Sequence, residues 1–206
     1  MSTATSLGRA LILASGSASR RAMLENAGVA FDIDRPHVDE DAAKASLAAA
    51  GTSGRDTADA LAQLKAVKVS ARTPGALVLG SDSVVELDDG RLLDKPVDRA
   101  DAAAHLRLMA GKRHRLHSAA VIAENGAPVW RSVDTATLHV RALSDAFIEA
   151  YLTQEWPAIA GCVGCYRIEG PGAQLFARVE GSQFTILGLP LLPVLDYLRT
   201  RGVLAS

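Results

Sequence analysis

Cysteine is nearly missing from this chain of 206 residues, in which only Cys162 and Cys165 occur. Two thiols cannot supply the disulfide framework of a small secreted domain, and a chain of this length does not need one to hold a core. Their Cys-x-x-Cys spacing suits a redox pair or half of a zinc site. No second Cys or His cluster follows to complete the zinc site, and the pair precedes strand-like sequence, where a thioredoxin-type pair precedes a helix. An excess of positive charge is also lacking. Lys and Arg total 22 against 23 Asp and Glu, a formal net charge of -1, so no global field exists to hold a nucleic-acid backbone and any phosphate-binding patch must be local. Long apolar runs are absent too. Met1–Gly8 is polar, Ala10–Ala14 is too short for the core of a signal peptide, and Ile186–Leu195 is broken by Gly188, Pro190 and Pro193. Neither export nor a membrane span is expected, and the chain reads as cytoplasmic. Gly-x-x-x-x-Gly-Lys-Ser/Thr and Gly-x-Gly-x-x-Gly do not occur, which removes kinase-like and dinucleotide readings.

What is present is ordinary globular material, 49% hydrophobic and 22% charged, and no repeat or long linker divides it, so residues 1–206 form a single expected domain. Arg9–Ala14 reads as a buried strand, followed by a small polar turn at Ser15–Ser19 and a helix from Arg20 to Ala27 that Gly28 stops. Val29, Phe31 and Ile33 alternate as in a strand, with Asp32 and Asp34 sharing a solvated face. Helices are expected over Asp39–Ala50 and Asp56–Val69, the latter placing Leu61, Leu64 and Lys68 near one another with Lys65 beside them. Ala76–Val85 is the most strand-like run. A turn at Asp88-Asp89-Gly90 leads to a return strand at Arg91–Leu93, and Asp98 caps a helix to Met109. Strands over Arg113–Ala123 and Val129–Val140 flank Asn125-Gly126, a strong hairpin signal. A helix from Ser144 to Leu152, short segments at Tyr166–Ile168 and Gln174–Val179, and a helix from Leu191 to Arg201 complete the chain.

Several residues could carry chemistry. Ser15-Gly-Ser17-Ala-Ser19-Arg20-Arg21 places hydroxyls, free backbone N–H groups and two guanidinium groups where a helix begins, a local setting that attracts phosphate; a capped surface helix is the plainer reading. Asp82 interrupts an apolar strand, and a buried carboxylate needs a reason. It could hold a metal or take a proton from water, or it could be a hydrogen-bonded structural residue. Lys95 could return an ammonium to the same edge, or be a surface lysine. Asp39-Glu40-Asp41 could simply complement a helix dipole, yet Glu40 with Asp82 and substrate phosphates would satisfy Mg²⁺. His114 and His117, three apart on a strand, point to opposite faces and are not expected to share a metal.

The string Leu13-Ala-Ser15-Gly-Ser17-Ala-Ser19-Arg20-Arg21-Ala-Met-Leu24 with Gly28, Phe31 and Asp39-Glu40 resembles the opening of the Maf (septum-formation) family of nucleotide pyrophosphatases. In the same order, Leu61-Ala-Gln-Leu-Lys65-Ala66, Gly80-Ser-Asp82-Ser83-Val-Val85, Gly90-Arg-Leu-Leu-Asp-Lys95-Pro96, Ala110-Gly-Lys-Arg-His114, Tyr166-Arg-Ile-Glu169-Gly170 and Gly188-Leu-Pro190 are similar to its later motifs. The resemblance spans nearly the whole chain. It implies an α/β fold, a mixed twisted sheet with flanking helices and two lobes around a cleft, like inosine-triphosphate pyrophosphatases. It also implies hydrolysis of a nucleoside triphosphate to the monophosphate and pyrophosphate with Mg²⁺ or Mn²⁺. Asp82 matches the proton acceptor, Arg20, Lys65 and Lys95 the phosphate-binding cations, and Glu40 an acid of the metal-bearing cleft. Ser19, Ser83 and Glu169 fall at base-specificity positions. Glu169 is similar to the subgroup acting on 7-methylguanosine triphosphate, whereas Ser19 and Ser83 match neither that subgroup nor the dTTP/UTP-preferring members. Asp94 replaces a commoner glycine, and Ser182-Gln-Phe-Thr185 an Asp-x-Ser-Asn. The expected partner is a nucleoside triphosphate, with no stable nucleic-acid complex, no membrane, and a homodimer as an admissible assembly. The rival reading is a nucleotide-binding regulator of cell division without significant turnover.

Overall fold

Short apolar runs and alternating strands build one mixed sheet in the computed structural model, which describes residues 10–206. The expected start of the first strand at Arg9 and the polar Met1–Gly8 lie outside the described residues. Strand β1 (Leu11–Ala14) pairs in parallel with β2 (Asp32–Ile33) on one side and β3 (Leu77–Leu87) on the other. From β3 onward the sheet is antiparallel: β3 pairs with β5 (Arg113–Glu124), β5 with β6 (Ala127–Val140), and β6 with β7 (Phe176–Glu180). A two-residue strand, β4 (Leu92–Leu93), joins β3 near its end. The β5–β6 hairpin turns through Asn125 and Gly126, both at positive φ (52° and 80°), the conformation that makes Asn-Gly the preferred two-residue turn.

The described residues contain seven α-helices, α1 (Ala18–Asn26), α2 (Glu40–Ala49), α3 (Gly54–Ser70), α4 (Arg99–Met109), α5 (Asp145–Glu155), α6 (Gln183–Ile186) and α7 (Leu191–Thr200). None is long and apolar enough to cross a membrane. Six carry a capping oxygen, for example Ser17 Oγ accepting from Arg20 N and Ser53 Oγ from Asp56 N, which satisfies donors that a helix start leaves unpaired. Helix α3 lies on the sheet through a stripe of small residues. Ala58, Ala62 and Ala66 are fully buried, and they let its backbone approach β3 so closely that a Cβ on Gly80 would stand 2.6 Å from Ala66 N. Helix α2, by contrast, buries no residue at all.

Two apolar cores sit toward opposite ends of the long strands. One gathers Leu11, Leu13, Leu24, Leu77, Leu79, Ile122, Val194 and Leu198 around β1, α1 and α7. The other gathers Val85, Leu87, Leu106, Leu116, Leu138, Ile148 and Leu152 around α4 and α5. Residues 81–83 of β3 lie at the waist between them, which gives the two expected lobes a physical meaning.

The differences from expectation are local. Helix α1 starts at Ala18 rather than Arg20 because Ser17 is the cap. The strand expected over 29–33 shrinks to Asp32–Ile33, since Val29 and Phe31 are used in packing instead. On α3 the inward face carries Leu61 with Lys65, not Leu64 or Lys68, both of which are exposed. Asp32 is exposed as expected, but Asp34 binds Arg72 through two hydrogen bonds of 2.9 and 2.6 Å. Segment 166–168 is irregular, and the helix α6 went unforeseen although Ser182 caps it.

Candidate active site

Strand β1 accompanies β3 only as far as Gly80, and β4 takes up the same edge only at Val85 and Glu86. Between them, Ser81–Val84 has no strand partner on that edge among the described residues. This interruption lies at the carboxyl end of β1, where parallel strands release the loops that build α/β sites. Side chains alternate along β3, so Asp82 faces α3 while Ser81 and Ser83 face the opposite way.

On the α3 face, Asp82 Oδ1 accepts a 2.7 Å hydrogen bond from Lys65 Nζ, and Glu40 Oε1 lies 3.1 Å from the same nitrogen. Lys65 is only 6% exposed and Asp82 7%. The sequence permits this because Lys65 stands one turn from Leu61 on a helix whose alanines bring it down onto Gly80. One ammonium thus gathers two carboxylates, which are no further apart than those two contacts laid end to end. Burial pushes the Glu40 carboxyl up, but Lys65 first, then Lys95 and Lys44, outweigh it and hold the group below its ordinary value.

On the other face, Arg20 is buried and spends three of its five N–H groups on the protein. Its Nε donates to Gly188 O (2.8 Å), Nη2 to Ser83 Oγ (3.0 Å) and Nη1 to Ser15 Oγ (3.4 Å). Behind it runs a chain that fixes these acceptors. Ser118 Oγ donates to Thr185 O (2.7 Å), so Ser83 must be the donor in its 2.8 Å bond with Ser118; Thr185 Oγ1 in turn donates to Asp134, and Ser81 Oγ donates to Gly188 O (3.0 Å). Burial lowers the affinity of Arg20 for its proton, while the charges of Asp82 and Glu40 act against that loss. An arginine keeps its charge under such conditions, so the guanidinium is a fixed cation sharing its field with both acids.

A cleft of about 690 Å³ opens beside Glu40, lined by residues of α2 and by Asp94, Lys95, Pro96 and Val97 of the segment after β4. Lys95 is exposed there, and its charge reaches Glu40. Across the opening Lys44 Nζ donates to Asp94 Oδ1 at 2.6 Å.

The remaining expected residues divide. Ser15 and Ser17 shape the turn before α1, with Ser15 Oγ accepting from Ser17 N (3.2 Å), and Ser19 Oγ lies 3.1 Å from Ser17 Oγ. Arg21 is turned outward and pairs with Glu25 at 3.4 Å, a consequence of following Arg20 by a hundred degrees around the helix. Glu169 is exposed on the turn after Tyr166; its charge and that of Lys95 are both felt at Cys162, so the two stand in the same neighbourhood. Cys165 is buried, with its Sγ 3.5 Å from His105 Nδ1. His114 and His117 go to separate partners, Tyr166 for the first, Glu86 and Thr135 for the second. The sequence reading missed Lys44, the Gly188 carbonyl, Ser118, Thr185 and Asp134. Gly188-Leu-Pro190 and Ser182–Thr185 had marked the region, whereas nothing in the pattern distinguished Ser118 or Asp134.

Among the described residues no three of His, Cys, Asp and Glu gather as a metal cluster. Two carboxylates of the hard-oxygen type do gather at Lys65, and that donor set fits Mg²⁺ or Mn²⁺, which take one or two carboxylates and complete their shell with phosphate oxygens and water.

Known proteins resemble this chain over nearly its whole length. The family model described as "Maf-like protein" matches residues 10–201. A protein of Sphingopyxis alaskensis named nucleoside triphosphate pyrophosphatase is 56% identical over 193 residues, covering 94% of this chain and 98% of its own. Nucleoside triphosphate pyrophosphatase 1 of Jannaschia sp. is 53% identical over 195 residues, 95% of this chain and 98% of its own. A third, from Caulobacter vibrioides and with the same name as the first, is 51% identical over 192 residues, 93% and 96% of the two chains.

Proposed function

Because this chain belongs to the Maf family, we infer that it is a nucleoside triphosphate pyrophosphatase, releasing nucleoside monophosphate and pyrophosphate from its substrate. The observation that carries the reading is the single buried ammonium of Lys65 binding both Asp82 and Glu40, with the Arg20 guanidinium held at the neighbouring Ser83.

The chemistry follows from those positions. Water attacks the α-phosphorus, its proton passes to the Asp82 carboxylate, and the bond between the α-phosphorus and the bridging oxygen to the β-phosphate breaks, so that pyrophosphate leaves. Lys65, next to Asp82, orients that carboxylate and faces the charge that develops on the phosphates. Arg20 is prearranged by three acceptors, so it need not reorganise when the anion arrives; a fork of this kind suits phosphate oxygens. Lys95 at the cleft adds an exposed positive charge for the departing pyrophosphate. A divalent cation held by Glu40 and Asp82 would supply Lewis-acid polarisation of a phosphate oxygen. For the base, Glu169 offers a carboxylate that can accept from the N–H groups of a guanine edge, and 7-methylguanosine triphosphate is the proposed preferred class.

The test is a panel of nucleoside triphosphates, including the 7-methylguanosine form, supplied with Mg²⁺ or Mn²⁺ and analysed for monophosphate and pyrophosphate. Turnover that disappears in Asp82→Asn is the expected result. No cleavage of any nucleotide, or full activity in that variant, would overturn the reading.

A further inference from the structure

One ion pair at the cleft has no part in the mechanism above. Lys44 lies one helical turn beyond Glu40 on α2, and its Nζ reaches Asp94 Oδ1 at 2.6 Å, while that same carboxylate oxygen accepts from Lys95 N at 2.9 Å. Asp94 therefore holds one lysine by its ammonium and the next by its backbone. Lys44, Asp94, Lys95 and Glu40 all line the one cleft.

The charges there are oddly matched to the cargo. A triphosphate approaching Lys95 and Lys65 meets the Asp94 carboxylate, which repels it and occupies the nearest further cation. The pair is open to water, with side-chain exposures of 25% for Lys44 and 54% for Asp94, so exchanging its anion costs little. A phosphate oxygen accepts from an ammonium as well as a carboxylate oxygen does and brings more negative charge. Lys44 can follow it, because its ammonium sits on a flexible four-carbon stem. The charges of Asp82 and Glu40 already act on Lys44, so its head lies in the field of the acids at which the reaction is placed.

From this geometry we propose that Lys44 is a further phosphate-binding residue for the nucleotide's triphosphate, and that the Asp94 carboxylate occupies its ammonium until the substrate displaces it. The proposal rests on the pyrophosphatase reading for the identity of the anion. It explains why an acid stands in the wall of a polyanion site. Asp94 keeps Lys44 oriented across the cleft and sets a threshold that weakly charged anions do not meet.

The pair predicts effects of opposite sign, which a purely structural strap does not. KM is measured for a nucleotide that the wild-type protein cleaves, with Lys44→Met, Asp94→Asn and the double variant. Lys44→Met raises KM about tenfold, the loss of one charge-assisted phosphate contact. Asp94→Asn lowers KM by about threefold to tenfold, and in the Lys44→Met background it changes KM by less than about twofold, because its effect passes through Lys44. The proposal is overturned if Lys44→Met leaves KM where it was, if Asp94→Asn fails to lower KM, or if it lowers KM equally without Lys44, which would be simple charge repulsion. Should the wild-type protein cleave no nucleotide, the functional reading fails by itself; the same four proteins are then titrated with inorganic triphosphate by calorimetry, where the same order of Kd supports the Lys44 site and any other order refutes it.

Discussion

Replacing Lys65 by methionine keeps the stem that packs beside Leu61 and deletes the ammonium. Asp82 and Glu40, bound at 2.7 and 3.1 Å in the native protein, are left facing each other without the ammonium that joins them. Removing one partner of a buried pair costs about 3–5 kcal/mol. The Glu40 side chain is 30% exposed, and water there screens part of the loss, so about 3 kcal/mol is the expected figure. For a domain of this size that corresponds to a fall in Tm of about 6–12 °C. The pH dependence has a definite sign. Burial opposes and Lys65 outweighs it, so the folded Glu40 carboxyl sits below its ordinary 4.5. A depressed acid contributes stability above its unfolded value and loses it as pH falls through the folded one. The gap in Tm between native and variant proteins should be widest above about pH 4.5 and narrow below it. Calorimetry at pH 7 and pH 4 measures it, and adding Glu40→Gln should restore part of the loss by removing the like charge. A variant melting within about 2 °C of the native protein at pH 7 would refute the claim that Lys65 neutralises a buried and a half-buried acid.

Gly80→Ala is expected to be among the most damaging substitutions outside the charged groups, because its methyl would meet Ala62 O and lie 2.6 Å from Ala66 N; a stability loss beyond about 3 kcal/mol in urea titration is the predicted result. Arg20→Lys replaces a fork bound to Gly188 O, Ser83 and Ser15 by a single point of charge, so kcat/KM for nucleotide hydrolysis should fall about a hundredfold. His114 is held near pKa 4 chiefly by burial. As a base lowered from 6.5, it contributes stability above pH 6.5 that is lost toward pH 4, and urea titration should show His114→Phe losing about 3 kcal/mol less than the native protein over that range. Burial pushes the Cys165 thiol up to about 12, so alkylation at pH 8 should fall on Cys162 first. Both Cys→Ser variants should hydrolyse nucleotide at the native rate, and loss of activity in either would point to a redox role.

The groups that could be read from sequence were those whose chemistry contradicts their surroundings. Asp82 stood out as an acid in the apolar strand Leu77–Leu87, and Arg20 lay at a helix start among hydroxyls. Lys65 needed the resemblance, since its helix reads equally well with Leu64 and Lys68 inward. The deciding fact is a tertiary one, that Ala58, Ala62 and Ala66 fit against Gly80 where bulkier neighbours would not. Ser118 and Asp134 were illegible for a different reason. Each is an unexceptional polar residue on a long strand, and each acquires a role only through the chain from Thr185 to Ser83. The same holds for Lys44, whose partner lies fifty residues away on the segment after β4.

Helix α2 carries both Glu40 and Lys44 yet contributes nothing to either apolar core. Its seating is consequently electrostatic more than hydrophobic, resting on Lys65 at one point and Asp94 at another. Salt at molar strength, where screening reaches about 3 Å, should then loosen this element while the rest of the molecule stays folded. Ionic strength would act on the enzyme by detaching an acid from its centre, a mode of inhibition that needs no inhibitor molecule.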